Sequence, residues 1–221
     1  LLQMVSPNCF DNEVNPFGTA QEIEIGMGLA RVHRVTYVGE LGWEIYASSD
    51  QAGHIFDTIF EAGQDVGMKL CGMHMMDSLR IEKGFRHFGH DITCEDHVLE
   101  AGLGFAVKTD KPDFIGRDAV LRKKENGLDR RLLQFVLNDS EPLLYHNEPI
   151  LRDGVLVGHL TSGNYGHTIG AAIGLGYVPC KNEAVSDILS STYEIDVAGV
   201  KIAANVSIKP VYDPKSERVK V

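Results

Sequence analysis

The sequence predicts an α+β fold: a mixed α/β domain over residues 1–125, then a small antiparallel β-barrel over residues 126–221. Two observations carry this. Up to Glu125, strand-like and helix-like segments mix without the strict strand–helix–strand repetition of a doubly wound sheet. Beyond Asp129, short apolar runs follow one another, broken by turn residues such as Asp153-Gly154 and Gly199. The boundary is set near Glu125 to Asp129, inside the charge-rich stretch Lys123 to Arg131, which reads as a surface connection around Asn126-Gly127.

Taken in order, Leu1 to Gly18 is rich in Asn, Asp and Pro and reads as irregular entry. Glu22 to Tyr37 alternates loosely through Ile23, Ile25, Leu29, Val32 and Val35, which predicts strands with a turn at Gly26–Gly28. Trp43 to Ala47 is a strand. Ser48-Ser49-Asp50 then offers capping oxygens to a helix whose Ile55, Phe56, Ile59 and Phe60 share one face. Gly63 and Gly67 bracket its end. His74 to Lys83 is a second helix, with Gly84 placed to cap its C-terminus. A short helix follows from Phe114 to Leu121. The barrel strands are expected at Leu132 to Val136, Ile150 to Leu151, Val155 to Leu160, Ala171 to Val178, Thr192 to Val197 and Val200 to Ile208. There are no internal repeats.

Bulk properties exclude several classes. A hydrophobic fraction of 43% and a charged fraction of 24% are those of an ordinary globular chain. A net charge of −10 offers no basic face to a phosphate backbone. No apolar run approaches the roughly 20 residues of a membrane span. Leu1 to Phe10 lacks a basic segment, so it is not expected to be a signal peptide. The chain does not begin with Met, which is expected of a cleaved product or of a chain with an upstream part. Cys9, Cys71, Cys94 and Cys180 are scattered without a CxxC pair, which predicts free thiols in a reducing compartment.

The most informative run is Arg34-Val35-Thr36-Tyr37-Val38-Gly39-Glu40-Leu41-Gly42-Trp43-Glu44-Ile45-Tyr46. It combines an apolar strand, a Gly turn, two carboxylates and three aromatics. Carboxylates pair with the amino and ring N–H donors of a flat heterocycle, and aromatics cover its faces. The competing reading is a plain hairpin turn at Gly39 and Gly42 with Glu40 in water.

Other constellations lead elsewhere. His87, His90, Asp91, Cys94, Asp96 and His97 put six potential metal ligands within eleven residues. They sit in a Gly-bounded loop with no second ligand pair, so no metal is expected. No GxSxG or GKS/GKT motif occurs, and Gly26-Met27-Gly28 lacks the third glycine and the strand-to-helix context of a dinucleotide loop. Arg80 is expected to be structural, paired with Asp77 by helical spacing.

Three blocks, in this order, resemble the folate-binding aminomethyltransferase family from about Phe17 to about Tyr212. They are the Arg34–Tyr46 run, the stretch Gly72-Met73-His74-Met75-Met76-Asp77-Ser78-Leu79-Arg80 through Gly89-His90-Asp91-Ile92, and Gly158-His159-Leu160-Thr161-Ser162-Gly163-Asn164-Tyr165-Gly166 leading to Val178. The family includes the glycine-cleavage T-protein and the C-terminal halves of dimethylglycine and sarcosine dehydrogenases. The resemblance implies a tetrahydrofolate-binding channel. Glu44 matches the glutamate that hydrogen-bonds the pteridine, and Tyr37 matches a tyrosine lining the same pocket. Glu40 lies beside that turn, and a Thr161-Ser162-Gly163 turn is expected near the channel.

Departures narrow the reading. Met76 stands where T-proteins carry an Arg before the Asp-Ser-Leu-Arg helix, and Gly39-Glu40-Leu41-Gly42 replaces their Gly-Glu-Asp-Gly. Gly84-Phe85-Arg86-His87-Phe88-Gly89-His90-Asp91 looks like the dehydrogenases, in which an upstream FAD domain oxidises an N-methyl amine and folate receives the one-carbon unit. The family's catalytic Asp lies farther upstream of the Tyr-x-Gly-Glu strand than the 36 residues available here. The chain is therefore expected to be a C-terminal portion, inactive by itself, with FAD held by an upstream domain. The resemblance implies small-molecule partners only: folate and an N-methylated amino acid, with neither nucleic acid nor membrane. It places the protein in the bacterial cytoplasm or the mitochondrial matrix. Two alternatives stand beside it: a divergent glycine-cleavage aminomethyltransferase, and a regulatory relative such as a pyruvate dehydrogenase phosphatase regulatory subunit.

Overall fold

The computed structural model describes residues 1–181 and 183–221. The chain divides into two compact units, residues 1–76 with 215–221, and residues 77–214.

The first unit is built on a three-stranded antiparallel sheet. A short helix α1 (Leu2–Val5) precedes β1 (Ala20–Ile25), β2 (Gly28–His33) and β3 (Glu44–Ala47), paired in the order β1-β2-β3. Gly26-Met27 is the two-residue turn of the first hairpin, with Gly26 at φ 58°. Alternation sorts the side chains. Ile23, Ile25, Ala30 and Val32 face inward and pack with Ile55 of α2 (Ala52–Gln64), joined by Val5, Phe10, Trp43, Ile45 and Ile59. Glu22, Arg31, Glu44 and Tyr46 take the opposite, exposed face. The residue before α2 is Gln51, and no side chain caps the helix; its first free amides bond instead to the Ser48 carbonyl. The predicted Ser/Asp side-chain cap is thus replaced by a backbone turn.

The second unit holds a closed six-stranded antiparallel barrel. Its strands are β4 (Arg130–Leu137), β5 (Pro149–Arg152), β6 (Val155–Gly166), β7 (Ala171–Pro179), β8 (Tyr193–Val197) and β9 (Val200–Ser207), ordered β4-β7-β6-β5-β8-β9. Pairing of β9 with β4 closes the barrel, leaving no open edge. Leu133, Phe135, Leu137, Ile150, Leu160 and Ile195 fill the interior, and the Phe135 and Tyr193 rings meet edge to face at 5.6 Å. Leu132, Leu175 and Tyr177 form a second apolar cluster on β4 and β7. Both faces of these strands are buried, which is why they read as continuous apolar runs.

Two expectations are corrected here. Thr161-Ser162-Gly163 is not a turn. It lies inside β6, with Ser162 opposite Leu175, Gly163 opposite Gly174, and a register shift between Leu160 and Ser162. The glycine serves close packing: a Cβ on Gly163 would lie 2.8 Å from Leu144 Cβ and from Tyr145 backbone atoms. The charge-rich stretch from Lys123 is the end of α4 (Arg117–Asn126), not a loop, and the chain turns only at Gly127, φ 83°.

The C-terminus of α3 (Met73–Glu82) is closed as predicted by Gly84, at φ 66°. The Phe85 amide reaches the Arg80 carbonyl and the Gly84 amide the Ile81 carbonyl, the paired bonds of a Schellman motif. This stop carries the chain into the 85–92 loop. Arg80, 2% exposed, donates to Asp77 (2.7 Å), to Asp91 (2.7 Å), to the Phe85 carbonyl (3.3 Å) and to Ser162 Oγ (2.9 Å). Asp91, 1% exposed, also accepts from the Thr161 hydroxyl (2.5 Å) and the His87 amide (2.9 Å), and its carbonyl accepts from Tyr177 (3.0 Å). A buried, fully bonded network thus ties α3 and the following loop to β6 and β7.

Glu100 anchors the same unit. It is buried, pairs with Lys123 at 2.6 Å, and accepts from Arg130 and the Asp129 amide, each at 3.2 Å. Burial alone raises its pKa, but bonds from Lys123, the Asp129 amide and Arg130 outweigh burial and hold it below the usual 4.5. A depressed carboxyl adds stability that is present above the unfolded pKa and is lost as pH falls through the folded one. Acid melts should therefore show a loss of stability below pH 4.5 that Glu100→Gln flattens. An unchanged slope in the variant would remove Glu100 from that role.

Candidate ligand-binding site

The run Arg34–Tyr46 is split between core and surface. Arg34, 1% exposed, donates to the Gly42 carbonyl and to Asn12 Oδ1, each at 3.2 Å, and lies 5.3 Å from the Trp43 ring centroid. Trp43 in turn meets Phe10 edge to face at 5.1 Å. Arg34 and Trp43 therefore hold the connection between β2 and β3 in place. Trp43 belongs to the core and does not cover a ligand face, because it falls on the inward side of the strand. Gly42 is required by close approach: a Cβ there would lie 2.8 Å from the Val35 carbonyl oxygen.

Tyr37 is half-buried in that connection, just before Gly39, which sits at φ 78°. Glu40 lies 3.9 Å from Arg218, a surface ion pair of small value. Glu44 opens β3 directly opposite His33, and its side chain is exposed on the outer face. Its Oε2 accepts the Tyr46 hydroxyl at 2.5 Å. Tyr46, two residues on, projects from the same face, and its ring lies 4.9 Å from that of His33. The hydrogen bond to Glu44, then the carboxylate's charge, raise the Tyr46 phenol above its ordinary pKa of 10.

In the sequence Tyr46 stands out only as one of the aromatics, and nothing marks His33. The signal was present as the two-residue spacing of Glu44 and Tyr46 within a strand. His33 needs the cross-strand register, which sequence alone does not give.

An exposed carboxylate flanked by two flat rings fits the amino-pyrimidine edge of a reduced folate. Such an edge presents adjacent N–H donors, and a carboxylate offers two acceptor oxygens. The residues do not fit a flavin dinucleotide. Gly26-Met27-Gly28 is a hairpin turn between antiparallel strands, not a strand-to-helix phosphate loop.

Most of the His/Asp/Cys cluster is committed to other bonds, while the His87 and His90 rings lie 4.5 Å apart. Asp91 is committed to Arg80 and Thr161, while Asp96 accepts from Thr93 and Arg130. His97 Nδ1 accepts the Leu99 amide, and Cys94 is exposed. Among the described residues no three His, Cys, Asp or Glu side chains converge as a metal site requires.

Comparison with known proteins matches both parts of the chain to family models. Residues 1–111 match the GCVT N-terminal domain, and residues 130–213 match the glycine cleavage T-protein C-terminal barrel domain. The chain is 43% identical over its full length to 4-methylaminobutanoate oxidase (formaldehyde-forming) of Paenarthrobacter nicotinovorans, covering 26% of that protein. It is 35% identical over its full length to mitochondrial sarcosine dehydrogenase of Homo sapiens, covering 24% of it. It thus spans about a quarter of these relatives. An aminomethyltransferase of Symbiobacterium thermophilum is 34% identical over 96% of this chain and 56% of its own. Among solved structures, the glycine cleavage system aminomethyltransferase T of Bartonella henselae superposes with a TM-score of 0.71 at 26% identity, over 84% of this chain and 50% of that one. With both family models matched in order, and the closed barrel where the second one falls, this chain belongs to the glycine-cleavage T-protein family.

Proposed function

We propose that this chain is the folate-binding portion of a flavin-dependent N-methyl-amine dehydrogenase that passes a one-carbon unit to tetrahydrofolate. The observation that carries the reading is full-length identity of 43% and 35% to proteins named for oxidising N-methylated amino acids, joined to an exposed carboxylate at Glu44. In this reading Glu44 takes the amino-pyrimidine edge of the pteridine and Tyr37 lines the same pocket. Bound tetrahydrofolate supplies the nucleophilic nitrogens that take up the one-carbon unit. The chain's own part is to bind and orient. A two-point contact at Glu44 discriminates against rings lacking those donors, because the carboxylate would then give up its water without gaining both partners. Flavin and the oxidation step belong to a domain outside these residues.

The test uses the full-length protein with sarcosine, dimethylglycine and 4-methylaminobutanoate, an electron acceptor, and tetrahydrofolate present or absent. Methylene-tetrahydrofolate should accumulate, and free formaldehyde should fall when folate is added. Formaldehyde release that folate leaves unchanged would reject the transfer reading. It would favour a second one, in which the one-carbon unit goes to water. One specific observation supports that alternative: the relative matched at 43% identity bears a formaldehyde-forming name.

A further inference from the structure

We infer that Tyr46 is a positioning residue: its hydroxyl, braced by His33, fixes the rotamer of the Glu44 carboxylate and so sets recognition of a 2-amino-pteridine edge. The inference rests on the folate reading of Glu44 and deepens it.

The geometry is local and complete within one sheet face. Glu44 and Tyr46 sit two residues apart on β3, so their side chains project to the same side. The hydroxyl meets Glu44 Oε2 at 2.5 Å, the short distance of a charge-assisted bond. Glu44 is otherwise an exposed side chain on an outer strand, with rotamer freedom of its own. Tyr46 is exposed too, and its contact on this face is with a neighbouring ring. Its ring rests against His33 at 4.9 Å, and His33 is the direct cross-strand partner of Glu44. The three side chains form a closed local set: His33 backs the Tyr46 ring, the Tyr46 hydroxyl holds one carboxylate oxygen, and the carboxylate plane is turned by that bond. A carboxylate already held loses less entropy when it binds a ligand edge, which is the gain of preorganisation. The same bond supplies a fingerprint independent of any ligand, since it raises the Tyr46 phenol pKa.

The experiment uses the full-length protein with 5-formyltetrahydrofolate, a stable reduced folate, and its 2-desamino analogue. Tyr46→Phe should weaken binding of the 2-amino compound about fivefold, the scale of one hydrogen bond felt indirectly. Binding of the 2-desamino analogue should change less than about twofold on that same scale. In the Glu44→Gln background, Tyr46→Phe should have no further effect on the preference. Phenol titration by absorbance, as the difference between wild type and Tyr46→Phe, should show the raised Tyr46 pKa falling towards 10 in Glu44→Gln. If Glu44→Gln itself leaves folate affinity unchanged, the folate reading of Glu44 fails. If Glu44→Gln weakens binding while Tyr46→Phe does not, or weakens both ligands equally, the positioning role of Tyr46 is overturned. If the phenol titrates identically with and without the Glu44 carboxylate, the bond is absent in solution and the inference falls with it.

Discussion

Asp91→Ala is expected to lower the melting temperature by roughly 8–15 °C, the largest effect of any single change considered. Asp91 accepts from Arg80, Thr161 and the His87 amide, and both it and Arg80 are nearly inaccessible to water. Removing the carboxylate leaves the Arg80 guanidinium short of one partner in a site that cannot hydrate it. Breaking a buried pair from one side costs on the order of 3–5 kcal/mol, because the remaining charge stays desolvated. Asp77 softens the loss but does not cancel it, since its carboxylate is 40% exposed and bonds a different nitrogen. Asp91→Asn keeps the shape and acceptor capacity at one oxygen, so it should cost clearly less than the alanine change. Arg80→Met combined with Asp91→Leu removes both charges and should cost less than the sum of the single changes. Recovery will be partial, because the His87 amide loses its acceptor and the Thr161 hydroxyl keeps only its longer bond to the Leu175 carbonyl, at 3.2 Å. Differential scanning fluorimetry and urea unfolding check this series. A shift of Asp91→Ala under about 3 °C would mean that the network is hydrated in solution and carries little of the fold.

That network shows where sequence reasoning reaches and where it stops. The Arg80–Asp77 contact was legible, because i,i+3 spacing on a helix places side chains together without tertiary knowledge. The stronger partner was not, because Asp91 lies across a loop whose path depends on the Gly84 stop. Five of the six barrel strands were legible to within two residues, since turn residues such as Asp153-Gly154 adopt left-handed backbone that few sequences offer cheaply; β6 runs on to Gly166, beyond the expected end at Leu160. Gly163 failed for the converse reason. A glycine needed for close packing inside a strand looks the same in sequence as one needed for a turn, and only the Leu144 and Tyr145 neighbours separate them. The Trp43 side chain failed on parity: a single residue's shift along a strand exchanges core for surface. Motif resemblance identified Glu44 and Tyr37 as residue types at matching positions. The outward projection of Glu44, with Tyr46 and His33 around it, required the sheet register.

Glu44→Gln in the full-length protein is expected to weaken reduced-folate binding about 10- to 100-fold, corresponding to roughly 1.5–3 kcal/mol for a hydrogen-bonded pair that includes a charge. The substitution is close to isosteric. Glu44 is exposed on the outer face of the sheet, so the sheet keeps its shape. What changes is the second position of the head group. An amide NH₂ replaces an acceptor oxygen and meets the N–H donors of the pteridine edge, donor against donor. A loss through unfolding is separable, because Glu44 is exposed at the start of β3 and its replacement should leave stability within about 0.5 kcal/mol. Calorimetric titration with 5-formyltetrahydrofolate, alongside a melt of the same sample, reads both quantities. Tyr37→Phe provides the comparison. It removes a hydroxyl but keeps the ring, so a ligand that uses Tyr37 mainly as a wall should lose much less than at Glu44. Equal affinity of wild type and Glu44→Gln, with both folded, would show that the carboxylate faces solvent and nothing else. The pteridine edge would then have to be met elsewhere in the protein, and the family match of residues 1–111 would stand without this contact.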